Sequence, residues 1–217
     1  MVYKVLKNNL FFLIPYLISL LIITPFLFLF SKSEIHQWLN QFHSAFFDWL
    51  FRYITFLGNG MFLIVPGILL LFFSLRSTAY LFSAFLSTGL FVQLLKRFFF
   101  GNFQRPVSYF NHVTQLHLVD GVPMLSGHSF PSGHAATAFA LFLCLAVVGR
   151  NRPVQFLCFV IACMVAYSRV YLSQHFLVDI IVGSLIGTTG TLAFYPVFFG
   201  RDLRWHNWSL KNLIRHE

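Results

Sequence analysis

The chain has 217 residues, of which 58% are hydrophobic, 19% aromatic (30 of them Phe) and only 10% charged. A soluble domain carries about 25% charged residues, and a chain of this size must still cover its surface with polar groups, so a soluble globular protein is excluded. Lys plus Arg number 15 against 6 Asp plus Glu; no basic run interleaves with polar groups along one face, which argues against nucleic acid and for basic loops that set membrane topology.

Lys4 and Lys7 precede an apolar run from Leu10 to Phe30 that is long enough to span a bilayer. No small-x-small cleavage site follows it, so an uncleaved first transmembrane helix is expected rather than a signal peptide. Between Ser31 and Leu57, Glu34, His36, Gln37, Asn40, Gln41, His43 and Asp48 interleave with Ile35, Trp38, Leu39, Phe42, Phe46, Phe47 and Trp49. That alternation predicts an amphipathic helix lying in the interface. Further apolar runs at roughly 58–75, 79–95, 134–149, 154–170 and 176–199 complete six spans. They are continuous rather than alternating, which favours helices over a barrel. Cys144, Cys158 and Cys163 lie inside these runs and read as reduced packing residues. The expected fold is thus all-α: one polytopic membrane domain over 1–217, with six transmembrane helices and one interfacial helix.

Charge fixes the expected orientation. With the N-terminus inside, Lys4, Lys7, Arg76, Arg150, Arg152, Arg201, Arg204, Lys211 and Arg215 are cytoplasmic, and so are both termini. Lys32, Arg52, Lys96, Arg97, Arg105 and Arg169 fall outside, and the last four belong to polar clusters. The positive-inside rule is obeyed.

Three polar clusters interrupt the apolar chain: Lys96 to Pro106, Ser129 to His134, and Ser168 to Asp179. The six-span layout brings all three to the outer membrane face. Arg105 and Arg169 offer planar forks of donors suited to phosphate oxygens. Pro131-Ser132-Gly133-His134 opens a helix whose free N–H groups form an anion cradle; Gly133 allows close approach and Ser132 adds a hydroxyl. His175 and Asp179 are four residues apart and share a helix face. The carboxylate orients one imidazole nitrogen and leaves the other free to attack, while His134 serves as proton donor and later activates water. Ser126-Gly127-His128 echoes the letters of Ser132-Gly133-His134 without the preceding Pro, and is expected to be coincidental. The loop over about 107–130, which holds His112, His117, Asp120 and His128, is expected to cover the site and to help choose the headgroup.

These clusters resemble those of the type 2 phosphatidic acid phosphatase superfamily, which also includes vanadium haloperoxidases. The third, Ser168-Arg169, five residues, His175, three residues, Asp179, matches fully, as does Pro131-Ser132-Gly133-His134. The first departs: the family pattern is Lys, six residues, Arg-Pro, whereas here eight residues separate Lys96 from Arg105-Pro106 and seven separate Arg97 from it. The resemblance implies a phosphohistidine on His175, oriented by Asp179, with His134 as acid and base. It implies phosphate binding by Arg105, Ser132, Gly133 and Arg169, plus Lys96 or Arg97, and no metal or other cofactor. Asp120 and Asp179 are also too few carboxylates for a two-metal cage.

The reading is a lipid phosphatase of the bacterial inner membrane with an outward-facing site, its partners being membrane lipids and a lipid phosphate substrate. Undecaprenyl pyrophosphate is the first substrate expected, with phosphatidylglycerophosphate, phosphatidic acid and lipid A phosphate as alternatives. Phosphotransfer to a second lipid, a transporter and an inactive lipid-binding relative are the competing functions. Transporter sites lie near the bilayer midplane, whereas these ionisable groups gather at one face.

Overall fold

The computed structural model describes residues 2–110, 115–200 and 208–211. Among them it contains helices and no strand. Helix α1 (Val2–Asn8) leads into α2 (Leu10–Leu29), whose outward side chains, including Leu17, Leu21, Ile22 and Phe28, are more than half exposed. Apolar surface of this extent suits contact with lipid tails.

The segment expected as one interfacial helix folds as two: α3 (Lys32–Asn40) and α4 (Ala45–Ile54). Each has its own start signal. Ser31 caps α3 in a reciprocal capping box with Glu34, and Ser44 accepts the N–H of Phe47 at the start of α4. The second cap is what divides the amphipathic run. Two short 3-10 turns, Thr55–Gly58 and Gly60–Leu63, then lead into α5 (Ile64–Phe73). The second predicted span is therefore not a straight helix: Ala45–Gly58 and Gly60–Phe73 meet at 63° about Asn59. The Gly58 carbonyl at this break accepts the Thr137 hydroxyl at 2.7 Å, and a Cβ on Gly58 would lie 2.8 Å from Val165.

Ser74 alone connects α5 to α6 (Leu75–Phe98), which is followed by the short α7 (Pro106–Phe110). Then come α8 (Gly133–Gly149), α9 (Arg152–Tyr171) and α10 (Leu177–Phe199). Helix α8 is the centre of the bundle, packed against α6, α9 and α10 and buried along most of its length. Small residues allow the closest approach: a Cβ on Gly183 of α10 would collide with the backbone of Ser132, which caps α8, and one on Gly187 with that of Ala136 in α8. Small-residue seams of this kind let membrane helices gain packing without a hydrophobic driving force between them.

Among the described residues four helices, α2, α6, α9 and α10, are long and apolar enough to cross a membrane, and the bent pair passes the same test when counted as one span, giving up to five. At 17 residues α8 is shorter, about 25 Å at 1.5 Å per residue. The three cysteines are free thiols, two of them buried. The Asn8 carbonyl accepts from Gln155 near the start of α9, and the Leu75 N–H donates to the Trp208 carbonyl. The first contact ties the N-terminal segment to α9, and the second ties the α5–α6 turn to the C-terminal segment. Lys96, Arg105, Ser132 and His175 gather at one end of the bundle.

Candidate active site

The turn between α9 and α10 is built before its side chains do anything. The Arg169 carbonyl accepts the N–H groups of Gln174 (2.9 Å) and His175 (3.0 Å), and Ser173 takes a left-handed φ of 53°. His175 emerges from this turn with 2% of its surface exposed. Asp179, at the third position of α10, reaches back to the N–H of Phe176 at 3.0 Å. It thereby caps the helix and fixes its own carboxylate.

The same carboxylate oxygen lies 3.3 Å from His175 Nδ1 and accepts the Ser129 hydroxyl at 2.5 Å. A carboxylate facing Nδ1 selects the tautomer protonated there and leaves Nε2 with its lone pair. Ser129 Oγ is itself 3.4 Å from Nδ1, so three groups converge on one corner. Burial, and after it the charges of Arg105, Lys96 and Arg169, push the His175 imidazole well below its ordinary pKa. It is therefore neutral at pH 7 and competent as a nucleophile.

Three buried cations surround this corner. Lys96 Nζ donates to the His128 carbonyl at 2.9 Å. Arg105 donates through Nε to the Gly127 carbonyl at 2.9 Å, and through one terminal nitrogen to the carbonyl and side-chain oxygen of Gln174 at 3.2 and 3.1 Å. Arg169 donates to Thr55 Oγ1 at 2.8 Å, and its Nε is buried without a partner. Among the described residues none of the three pairs with a carboxylate. Buried charge without a direct ion-pair partner is costly, and the orphaned Arg169 N–H leaves a donor free for an anion.

Helix α8 closes the cluster from the other side. The N–H of Ser132 is held by the Asp179 carbonyl at 2.9 Å, and Ser132 Oγ caps the helix at Ala135. Gly133 begins the helix with only Val92 near its missing Cβ. His134 is half-buried and lies within electrostatic range of Arg169, His175, Lys96 and Arg105. Among the described residues no three His, Cys, Asp or Glu side chains converge as a metal-ligand set.

Lys96, Arg105, Ser132, Gly133, His134, Arg169, His175 and Asp179 thus come together, and Arg97 does not. Lys96 is 8% exposed on the inner face of α6, whereas Arg97, rotated about 100° by the helix, is exposed. The two extra residues of the first motif are absorbed beyond the helix end, where Phe99 and Phe100 both donate to the Leu95 carbonyl and Phe103 turns back onto Phe100.

The Ser126-Gly127-His128 echo also proves to have a place. Its three carbonyls receive the Arg105 N–H, the Arg105 side chain and Lys96. Its own imidazole is not what matters, since His128 is exposed at a φ of 54°. Asp120 is exposed in a turn, His117 pairs with Asp48 away from the cluster, and His112 lies outside the described residues. Sequence reasoning missed Ser129, Gln174 and Thr55 as contributors. Ser129 and Gln174 adjoin the motifs and could have been suspected; Thr55 has no local signal.

Residues 77–202, more than half of the chain, match the family model of the PAP2 superfamily. The chain is 36% identical over 69 residues to a lipid A 4'-phosphatase of Bacteroides thetaiotaomicron, covering 32% of this chain and 31% of that protein. It is 31% identical over 78 residues to a lipid A 4'-phosphatase of Porphyromonas gingivalis, covering 36% and 33%. These alignments span only about a third of either relative's length. Among solved structures, Aquifex aeolicus LpxE superposes with a TM-score of 0.65 at 29% identity, covering 74% of this chain and 92% of that one. The transmembrane PAP2-type phosphatidylglycerolphosphate phosphatase of Bacillus subtilis superposes with a TM-score of 0.61 over 94% and 99%, at 23% identity, a likeness of fold alone. The match across more than half of the sequence, on this fold and with these clusters, establishes that the chain belongs to the PAP2 superfamily.

Proposed function

We propose that the protein is an integral-membrane lipid phosphatase that works through a covalent phosphohistidine on His175. The observation that carries the proposal is the set of three buried cations, none ion-paired with a carboxylate among the described residues, around a neutral buried imidazole. In this reading Lys96, Arg105 and Arg169, with Ser132 and the N–H groups opening α8, neutralise the phosphate oxygens. Nε2 of His175 forms the bond to phosphorus as the lipid oxygen leaves. Asp179 and Ser129 hold the Nδ1 proton and stabilise the imidazolium character that develops. His134 protonates the leaving oxygen, then takes a proton from the water that cleaves the phosphorus–nitrogen bond and releases inorganic phosphate. Positioning and charge neutralisation supply most of what phosphoryl transfer requires.

The topology we infer has six spans with both termini cytoplasmic and the site on the outer face of a bacterial inner membrane. The charge distribution along the sequence supports it. Likeness to lipid A 4'-phosphatases and to LpxE makes a phosphate on a lipid A-type glucosamine disaccharide the first substrate to test. Undecaprenyl pyrophosphate, the first expectation from sequence, becomes the alternative, together with phosphatidylglycerophosphate and phosphatidic acid. The test is phosphate release from this panel by purified protein with a chelator present, using wild type and His175→Ala. Chelator-resistant release that disappears in the variant supports the proposal; equal release by the two proteins refutes it.

A further inference from the structure

A second polar construction lies on the same end of the molecule, outside the cluster just described. Where α3 turns towards α4, a cleft of about 250 Å³ is lined by Gln37, Asn40, Gln41, His43, Gln115 and His117. Its floor is built rather than incidental. Asn40 clamps the backbone of His117 twice, accepting its N–H at 2.7 Å and donating to its carbonyl at 3.0 Å. The His117 ring stacks on His43 with centroids 3.8 Å apart and planes 4° from parallel. Its Nε2 lies 2.9 Å from Asp48, which also accepts the Tyr171 hydroxyl at 2.5 Å. The cleft adjoins the nucleophile turn: Asn40 Nδ2 is 3.5 Å from Ser173 Oγ, two residues before His175.

From this geometry we infer that the cleft is a headgroup subsite for a neutral, hydroxyl-rich group, a sugar ring of the lipid whose phosphate enters the His175 cluster. The inference rests on the lipid phosphatase reading and deepens it. Among the described residues no Lys, Arg, Asp or Glu lines the cleft, and Asp48 is engaged by His117 and Tyr171. Asn40 is taken up by His117, but the exposed carboxamides of Gln41 and Gln115 each present donors and an acceptor, which matches hydroxyls that donate and accept in turn. The volume falls just below the roughly 300 Å³ at which drug-sized sites begin, a size suited to one monosaccharide ring rather than a whole lipid. The lining amides of Gln41 and Gln115 are exposed and free of the phosphate cluster, so they can read a headgroup without touching the chemistry.

The test is the double variant Gln41→Ala/Gln115→Ala, assayed on a 4'-phosphorylated glucosamine-disaccharide lipid and on phosphatidic acid. The expected result is a fall of about tenfold in kcat/KM on the glycolipid, carried by KM, as for the loss of one or two hydrogen bonds, with phosphatidic acid turnover unchanged. An equal fall on both substrates, or no change on the glycolipid, overturns the inference. A second measurement separates it from the phosphatase reading: binding of the phosphate-free disaccharide lipid in nanodiscs to wild type and double variant. Binding that weakens in the variant, together with the glycolipid-selective fall in kcat/KM, supports the subsite, and binding equal in the two proteins overturns it. Absence of binding to wild type overturns the subsite and leaves the phosphatase mechanism standing.

Discussion

Ser129→Ala isolates a contact that the family motifs do not contain. The hydroxyl, 1% exposed, donates to Asp179 at 2.5 Å, the shortest of three interactions at that carboxylate oxygen. Hydrogen bonds to buried charged groups contribute about 1.5–3 kcal/mol. The Phe176 N–H remains to hold the carboxylate, so the lower half of that range applies: about 1.5–2 kcal/mol, or a 10- to 30-fold fall in the rate of phosphoenzyme formation. KM should hardly move, because in the proposed mechanism Lys96, Arg105 and Arg169, not Ser129, hold the phosphate. Single-turnover kinetics on a labelled lipid phosphate, with a thermal unfolding control, read this directly. An unchanged rate would show that Asp179 is fixed sufficiently by its helix cap, and a rise in KM at constant kcat would assign Ser129 to binding. Either outcome refutes the reasoning.

Other expectations follow from individual contacts. Lys96→Ala should lower kcat/KM by about 10²-fold or more, as for the loss of a donor to developing charge, whereas Arg97→Ala should change it less than about threefold; parallel kinetics on the two variants decide between them. Gly187→Ala sets a methyl against the Ala136 backbone and should destabilise by about 1–3 kcal/mol; Gly89→Ala, with open space around it, should be neutral or slightly stabilising, and thermal unfolding in detergent compares them. His36, 1% exposed with Nε2 3.2 Å from Ser173 Oγ, is lowered by burial from 6.5 to about 4, with Asp179 opposing the shift. Below pH 6.5 the unfolded chain takes up a proton that the folded one refuses, so stability falls with pH until about 4. At pH 5 the loss is about 2 kcal/mol. His36→Gln should reduce the pH 7 to pH 5 difference in unfolding free energy by that amount; an unchanged difference would show that His36 is not held neutral.

Much of the fold was legible because a bilayer imposes long uninterrupted apolar runs. The helices α2, α6, α8, α9 and α10 lie close to the predicted boundaries. Two things were not legible. The break at Asn59 depends on Gly58 fitting against Val165 and bonding to Thr137, partners about a hundred and about eighty residues away. The division of the amphipathic segment at Ser44 was signalled by a capping residue, but competed with a convincing alternation of polar and aromatic residues. At the site, the two intact motifs could be read because their spacing is set by one helix start and one helical turn. The first motif could not, since Lys96 and Arg105 are joined by a turn whose geometry no helical period fixes. What selects Lys96 over Arg97 is which side of α6 faces α8. The carbonyls of Gly127 and His128 that hold the cations are backbone groups, and side-chain identity does not announce them.

The most direct test of the central claim is to trap the intermediate. Wild type, His134→Ala and His175→Ala are mixed with a lipid phosphate labelled on phosphorus, quenched in alkali, and digested to locate the label. The account predicts alkali-stable label on His175 in wild type, label that forms or decays more slowly in His134→Ala, and none in His175→Ala. Turnover in wild type with label on another residue, or with no label at any quench time while phosphate is released at full rate, would contradict it.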